Sequence, residues 1–247
     1  MATGKRGVAL LLALLVCSGL AAAADRPYRV AVIGNSPPMS YVGENGALTG
    51  FNVAIAEALC ETLKRRCELQ MVPLEKVVDT VAAGEVDFAA VSLLATPERR
   101  EKVLMSRPYY RSTSLWLAAP GMKPGAPGTV VAAVRGSAQA DHVERQGWKA
   151  RFAESHAGLA TLLAEGTANA AVVPMPTALG LMDNPALQAI GLRPTVLDDP
   201  LLGGEVCISI DPQQPGLKTR IDAAIDRIKR DGRYDRINTR FLPFRLQ

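Results

Sequence analysis

The sequence predicts an α/β protein of two lobes, each a mixed, mainly parallel sheet flanked by helices, the second lobe inserted into the first. Three observations carry this. Short β-branched runs alternate with helix-period segments along most of the 247 residues. One run, "VDFAAVSLL" (86–94), is apolar almost throughout, as expected of a strand covered on both faces. The alternation also occurs twice over, with strand segments near 110–117 and 205–211 placed to cross between the units as a two-strand hinge.

The first 24 residues stand apart. Lys5 and Arg6 precede an apolar run from Val8 to Leu20, and "AAAAD" follows. A basic start, a short apolar stretch and a small-residue exit describe a secretory signal peptide, cleaved after Ala24. The run is short for a membrane span, although a retained anchor is the alternative. Cys17 raises lipidation as a rival, but Val16 stands where a small residue is normal. Loss of Lys5 and Arg6 takes the net charge from +4 to +2, because this segment contains no acid.

The elements then follow in order. "YRVAVIG" (28–34) reads as a strand ended by Gly. "NSPPMSYVGENGALTG" (35–50) reads as a loop, with Pro-Pro and Asn-Gly breakers. "FNVAIAEALCETLKRR" is an amphipathic helix, "CELQMVPL" a strand, and "EKVVDTVAAGE" a short helix stopped by Gly84. After "VDFAAVSLL", "YYRSTSLWLAAP" is a strand that leaves the first unit, and "GMKPGAPG" is a loop. The second series is "TVVAAVRG", two helices in "SAQADHVERQ" and "HAGLATLLAEG", and the strand "NAAVVP". "EVCISID" runs back, and two helices from Pro215 onward close the chain. The expected organisation is a signal peptide over 1–24, a first lobe from 25–113 and 206–247, and a second lobe from 114–205.

Composition narrows the function. The mild basic balance is interleaved with acids and aromatics are only 5%, which argues against nucleic acid. His142 and His156 are far from the cysteines in sequence, so no metal site is expected. Cys207 reads as a free buried strand residue. Cys60 and Cys67 in "CETLKRRC" are seven residues apart, about 10 Å in a continuous helix. A disulfide therefore requires the helix to end near Arg65 and the chain to turn back; an exported chain favours that bond over two unpaired thiols.

The stretch that carries chemistry is "TPERREK" (96–102). Thr96 is a good N-cap and Pro97 a favoured first helical residue, so Arg99 falls in a helix's first turn. A cation there opposes the helix dipole by about 0.3–1 kcal/mol. Either Arg99 reaches a surface acid such as Glu98 or Glu101, or it points at an anion that the same helix end favours. A guanidinium grips a carboxylate through a two-bond fork.

Taken together, "SPPMSYVGENGALTGFNVAIAEAL", "AAGEVDFAAVSLLATPERREKVLMSRPYY" and "LKTRIDAAIDRIKRDGRYDRINTRF" resemble the bacterial extracellular solute-binding proteins of the polar amino-acid class. The resemblance implies the type II periplasmic-binding fold and a receptor that closes on its solute for an ABC importer. It makes Arg99 the carboxylate clamp. Ser92 matches a Ser that contacts the ligand through backbone and hydroxyl, and Leu74 matches a side-chain-packing position. Ser137 and Ala138, in "VRGSAQ", match a loop holding the other side of the carboxylate. The Cys60–Cys67 pair is similar to one in the lysine/arginine/ornithine- and histidine-binding members.

The departures are informative. Asn169 and Pro174 stand where the family has acids, the second of which pairs the ligand ammonium. Ser36 replaces a stacking aromatic, and Leu94 replaces a Ser. The ligand is then either an amine-free acid or an amino acid whose ammonium finds another partner, such as Glu205. The expected protein is a monomeric periplasmic receptor for a small carboxylated solute, without cofactor or nucleic acid, that docks on a membrane permease. Two rivals are a lyase or dehydratase on the same fold, with Glu205 as the acid, and a receptor serving a sensor or a periplasmic redox enzyme.

Overall fold

The computed structural model describes residues 26–246, so the signal-peptide segment and Cys17 lie outside the described residues. The first sheet contains β1 (Tyr28–Val32), β5 (Cys67–Met71), β6 (Phe88–Leu94), β7 (Leu104–Ser112) and β13 (Gly204–Ile210), in the order β5-β1-β6-β13-β7. β5, β1 and β6 run parallel, and β13 is antiparallel to β6 and β7. The second sheet contains β8 (Ser114–Ala118), β9 (Val131–Val134), β10 (Ala150–Ala153), β11 (Ala170–Pro174) and β12 (Arg193–Val196), in the order β10-β9-β11-β8-β12. Here β8 is the antiparallel strand, against β11 and β12. Each sheet therefore has the same plan: three parallel strands, one reversed strand, and an outer strand beyond it.

Both sheets are covered on both faces. Val30, Phe88, Ala90, Val206 and Ile208 pack with helices α1 (Phe51–Thr62), α7 (Pro215–Arg230) and α8 (Arg233–Phe241) on one side of the first sheet. Ala31, Ala89, Val91 and Cys207 face α2 (Leu74–Ala82) on the other. The apolar run of β6 is thus buried on both faces, as its composition requires.

Cys60 and Cys67 form the disulfide, with α-carbons 5.9 Å apart. α1 stops at Thr62, Lys64 turns left-handed with φ 55°, and the Arg65 N–H donates to the Cys60 carbonyl, so the chain doubles back within five residues. Cys207 is buried and free.

Two sequence expectations need correction. Residues 35–50 are not simply a loop: they form a small antiparallel sheet of β2 (Asn35–Ser36), β3 (Ser40–Val42) and β4 (Leu48–Thr49). Pairs this short leave too little periodic pattern to be read locally. The second crossing also does not fall in the segment 205–211, and the first takes up only Thr113 of 110–117. β8 belongs wholly to the second sheet and β13 to the first, so the chain crosses at Thr113 and again over 197–203. The two crossings run side by side, with Ser112 opposite Gly204 and the Ser114 hydroxyl donating to the Leu202 carbonyl at 2.6 Å.

Candidate functional site

The C-terminal ends of the parallel strands in the two sheets face one another across a cleft. It holds about 580 Å³ of space not filled by protein atoms, part of it open to solvent. That is where open α/β sheets usually bind ligands. Five helices of eight residues or more begin at its walls: α1 through Asn52, α2 through Leu74, α4 (Ala138–Arg145) through Ala138 and Gln139, α5 (His156–Ala164) through His156, and α6 (Met175–Met182) through Pro176 and Thr177. Each turns its partially positive end toward the space.

All eight cleft positions singled out in the sequence line this one space: Ser36, Leu74, Ser92, Leu94, Arg99, Ser137, Ala138 and Pro174. Arg99 lies in the short helix α3 (Pro97–Lys102), whose N-cap is Thr96; the Arg99 N–H donates to the Thr96 hydroxyl. Its guanidinium reaches across the cleft. One nitrogen, Nη1, donates to the Leu94 carbonyl at 3.0 Å, at the end of β6, and Nη2 donates to the Gly136 carbonyl at 3.1 Å, on the facing lobe. Among the described residues no carboxylate lies within 4.0 Å of it. Burial pulls its pKa down, and the more distant Asp141 and Glu98 offset part of that effect.

Ser92 is the other unusual group on this wall. Its backbone is left-handed, φ 60°, a conformation that costs a non-glycine residue about 1–2 kcal/mol. A buried network holds it there. The Ser92 N–H donates to the Tyr109 hydroxyl at 3.1 Å, Tyr109 donates to Asn52 Oδ1 at 2.9 Å, and Asn52 Nδ2 donates to the Ser92 hydroxyl at 2.8 Å. Both groups of Ser92 expected to meet ligand are therefore engaged within the protein. Tyr109 and Tyr110 are both buried against Phe51, and Tyr110 also lines the cleft.

On the opposite wall Ser137 caps α4, its hydroxyl accepting from the Ala140 N–H at 3.1 Å. Gln139 is buried, donating to the Ser114 hydroxyl at 2.7 Å, which ties this wall to the crossing. Pro174 ends β11 and caps α6 without a side-chain bond. Asn169 is structural: its Oδ1 accepts from the Val130 N–H and its Nδ2 donates to the Gly128 carbonyl.

The sequence reading missed His156. It opens α5 and lies 2.8 Å, through Nδ1, from the hydroxyl of buried Ser36 on the other lobe. Burial drives its pKa down to about 4, so the ring is neutral at pH 7. A usable signal existed, because a potential cation in a helix's first turn is the same anomaly that drew attention to Arg99. Asn52, Gln139 and Gly136 were missed as well, and nothing local distinguishes them.

Glu205 is not a cleft residue, which corrects its candidacy as ammonium partner or acid. Its half-exposed carboxylate pairs with Arg100 at 3.0 Å and lies 4.0 Å from Arg111. β13 lies between β6 and β7, and the Glu205 side chain leaves the sheet on the face where Arg100 and Arg111 meet it. Among the described residues no Asp or Glu lines the cleft. Arg135 is a surface charge, bridging Glu154 at 3.1 Å and Glu75 at 3.7 Å.

Two sheets of like order, crossing connections and a cleft between them define a two-lobe solute receptor. The chain belongs to the bacterial extracellular solute-binding proteins, family 3, whose model matches residues 28–244. It is 25% identical over 241 residues to the putative ABC transporter arginine-binding protein 2 of Escherichia coli K12, covering 92% of this chain and 96% of that one. It is 24% identical over 254 residues to the L-arginine-binding protein of Pseudomonas aeruginosa, covering 94% of each. Among solved structures, the fold matches the arginine-, lysine-, histidine-binding protein ArtJ of Geobacillus stearothermophilus with a TM-score of 0.77 at 18% identity, over 90% of this chain and 97% of that one. It also matches AncCDT-1, an ancestral amino acid-binding protein and precursor of cyclohexadienyl dehydratase, with a TM-score of 0.76 at 22% identity, over 87% and 95%.

Proposed function

We propose that the chain is exported to the periplasm, closes its two lobes on a small carboxylated solute, and presents that solute as a monomer to the permease of an ABC importer. The observation that carries this reading is Arg99, a largely buried cation with a hydrogen bond to each lobe and no ion-pair partner among the described residues. Two of its five N–H donors fix its plane; the others are available to a carboxylate. The helix ends around it add partial positive charge. A ligand held by both walls favours the closed form by its differential affinity for that form. The names of the two relatives described above, both arginine-binding proteins, support a carboxylated ligand. The lyase alternative needs an acid in the cleft, and among the described residues no Asp or Glu lines it.

The test is Arg99→Met in residues 25–247, with carboxylate binding followed by calorimetry and folding by circular dichroism. Removing a charge-assisted fork should weaken binding by about 2–4 kcal/mol, roughly 30- to 1,000-fold, with the fold intact. Unchanged affinity would remove Arg99 as the clamp.

A further inference from the structure

We propose that the cleft selects small monocarboxylates with an apolar body and excludes ligands carrying an α-ammonium or any other cation. This rests on the receptor reading above and deepens it. An ammonium brings three donors and a charge, and in a closed site it needs acceptors and an opposing charge. The cleft offers the reverse. Among the described residues its one charged lining group is the Arg99 cation, five helices of eight or more residues turn their positive ends to it, and His156 contributes a neutral ring.

The surrounding acids do not reach in. Glu75 and Glu154 pair with Arg135 outside, and Glu205 pairs with Arg100. Asp183 lines a neighbouring groove rather than this cleft. Several oxygen acceptors around the space already accept a hydrogen bond within the protein: the Leu94 and Gly136 carbonyls from Arg99, Asn52 Oδ1 from Tyr109, and the Ser137 hydroxyl from Ala140. Where β11 hands over to α6, Pro174 provides neither charge nor N–H. Ile33, Met39, Leu74, Leu94 and Pro176 give the space an apolar part that suits a hydrocarbon body, beside the uncharged polar Ser112, Gln139 and Thr177. A single cation matches a single carboxylate.

The experiment is calorimetric titration of residues 25–247 at pH 7.5 with pairs that differ only in the α-amine: L-leucine against 4-methylpentanoate, and L-arginine against 5-guanidinopentanoate. The expected result is that 4-methylpentanoate binds at least about tenfold more tightly than L-leucine, and that both guanidinium compounds bind more weakly than it does. Pro174→Asp, which keeps a good capping residue at that position, should move the preference toward L-leucine by at least about tenfold. Equal or tighter binding of either amino acid by the unmodified protein overturns the inference and leaves the receptor reading standing. An unchanged preference in Pro174→Asp overturns the charge argument. Binding of no compound in either pair overturns the receptor reading and the inference with it.

Discussion

Closure of this receptor should be pH-dependent through His156, and the size of the effect follows from the structure. In the closed form the ring lies against Ser36 of the other lobe and its pKa is pushed down to about 4. Opening the cleft returns the ring to water, where it titrates near its ordinary value of 6.5. The charged groups sharing its surroundings are Arg99 across the cleft, which opposes protonation, and Glu154 and Asp183 in the two adjoining grooves. The sign is fixed: the open form binds the proton, so closure is fully favourable above pH 6.5 and weakens progressively as pH falls from 6.5 toward 4. At pH 5.5 about nine in ten open molecules carry the proton and must release it to close, an affinity penalty of about tenfold, or about 1.4 kcal/mol, relative to pH 7.5. The other histidine, His142, packs on Trp148 within the second lobe and lies 3.1 Å from the Asp199 carboxylate, so the His156→Gln variant is what separates the two. The assay is calorimetric affinity for the tightest carboxylate at pH 7.5, 6.5 and 5.5, in the native sequence and in His156→Gln. The native slope should be about tenfold, and the variant's close to flat whatever its affinity at neutral pH. A native change below about threefold, or a full slope retained in His156→Gln, would refute the argument.

Other outcomes follow from particular contacts. A β-carbon at Gly136, where φ is +73°, would lie 2.3 Å from the Glu75 α-carbon on the facing lobe. Gly136→Ala should therefore block closure, leaving an open scattering profile with saturating ligand and a stability loss of only about 1–2 kcal/mol. Asp87 is wholly buried. Burial raises its pKa, but bonds from Arg26 at 2.6 and 2.7 Å, Gln214 at 2.9 Å and the Arg29 N–H at 2.8 Å outweigh this and bring it to about 2. Its folded pKa is depressed, so its contribution is present above about pH 4 and lost as pH falls through about 2. Asp87→Asn should cost on the order of 2–3 kcal/mol at pH 7, seen as a lower urea midpoint, and the difference should shrink at the acid end.

Much of this was determined by the sequence. Periodicity placed the major strands and helices, because burial on one or both faces writes itself into local composition. The apolar run at 86–94 had to be a strand covered on both sides, and Arg99 had to be unusual, since a cap and a proline put it in a helix's first turn. Eight cleft positions were legible through family likeness. Tertiary structure decided the rest. His156 and Ser36 are 120 residues apart, and only the meeting of the lobes makes them partners. Ser92 turns left-handed because Asn52 and Tyr109 hold it, a network no local window contains. Glu205 looked near the cleft because it begins the returning strand, but that strand carries it to the surface beside Arg100. Secondary structure follows from local burial patterns. The charge of the cleft, its close approach at Gly136 and its proton sensitivity are set by which distant walls face each other.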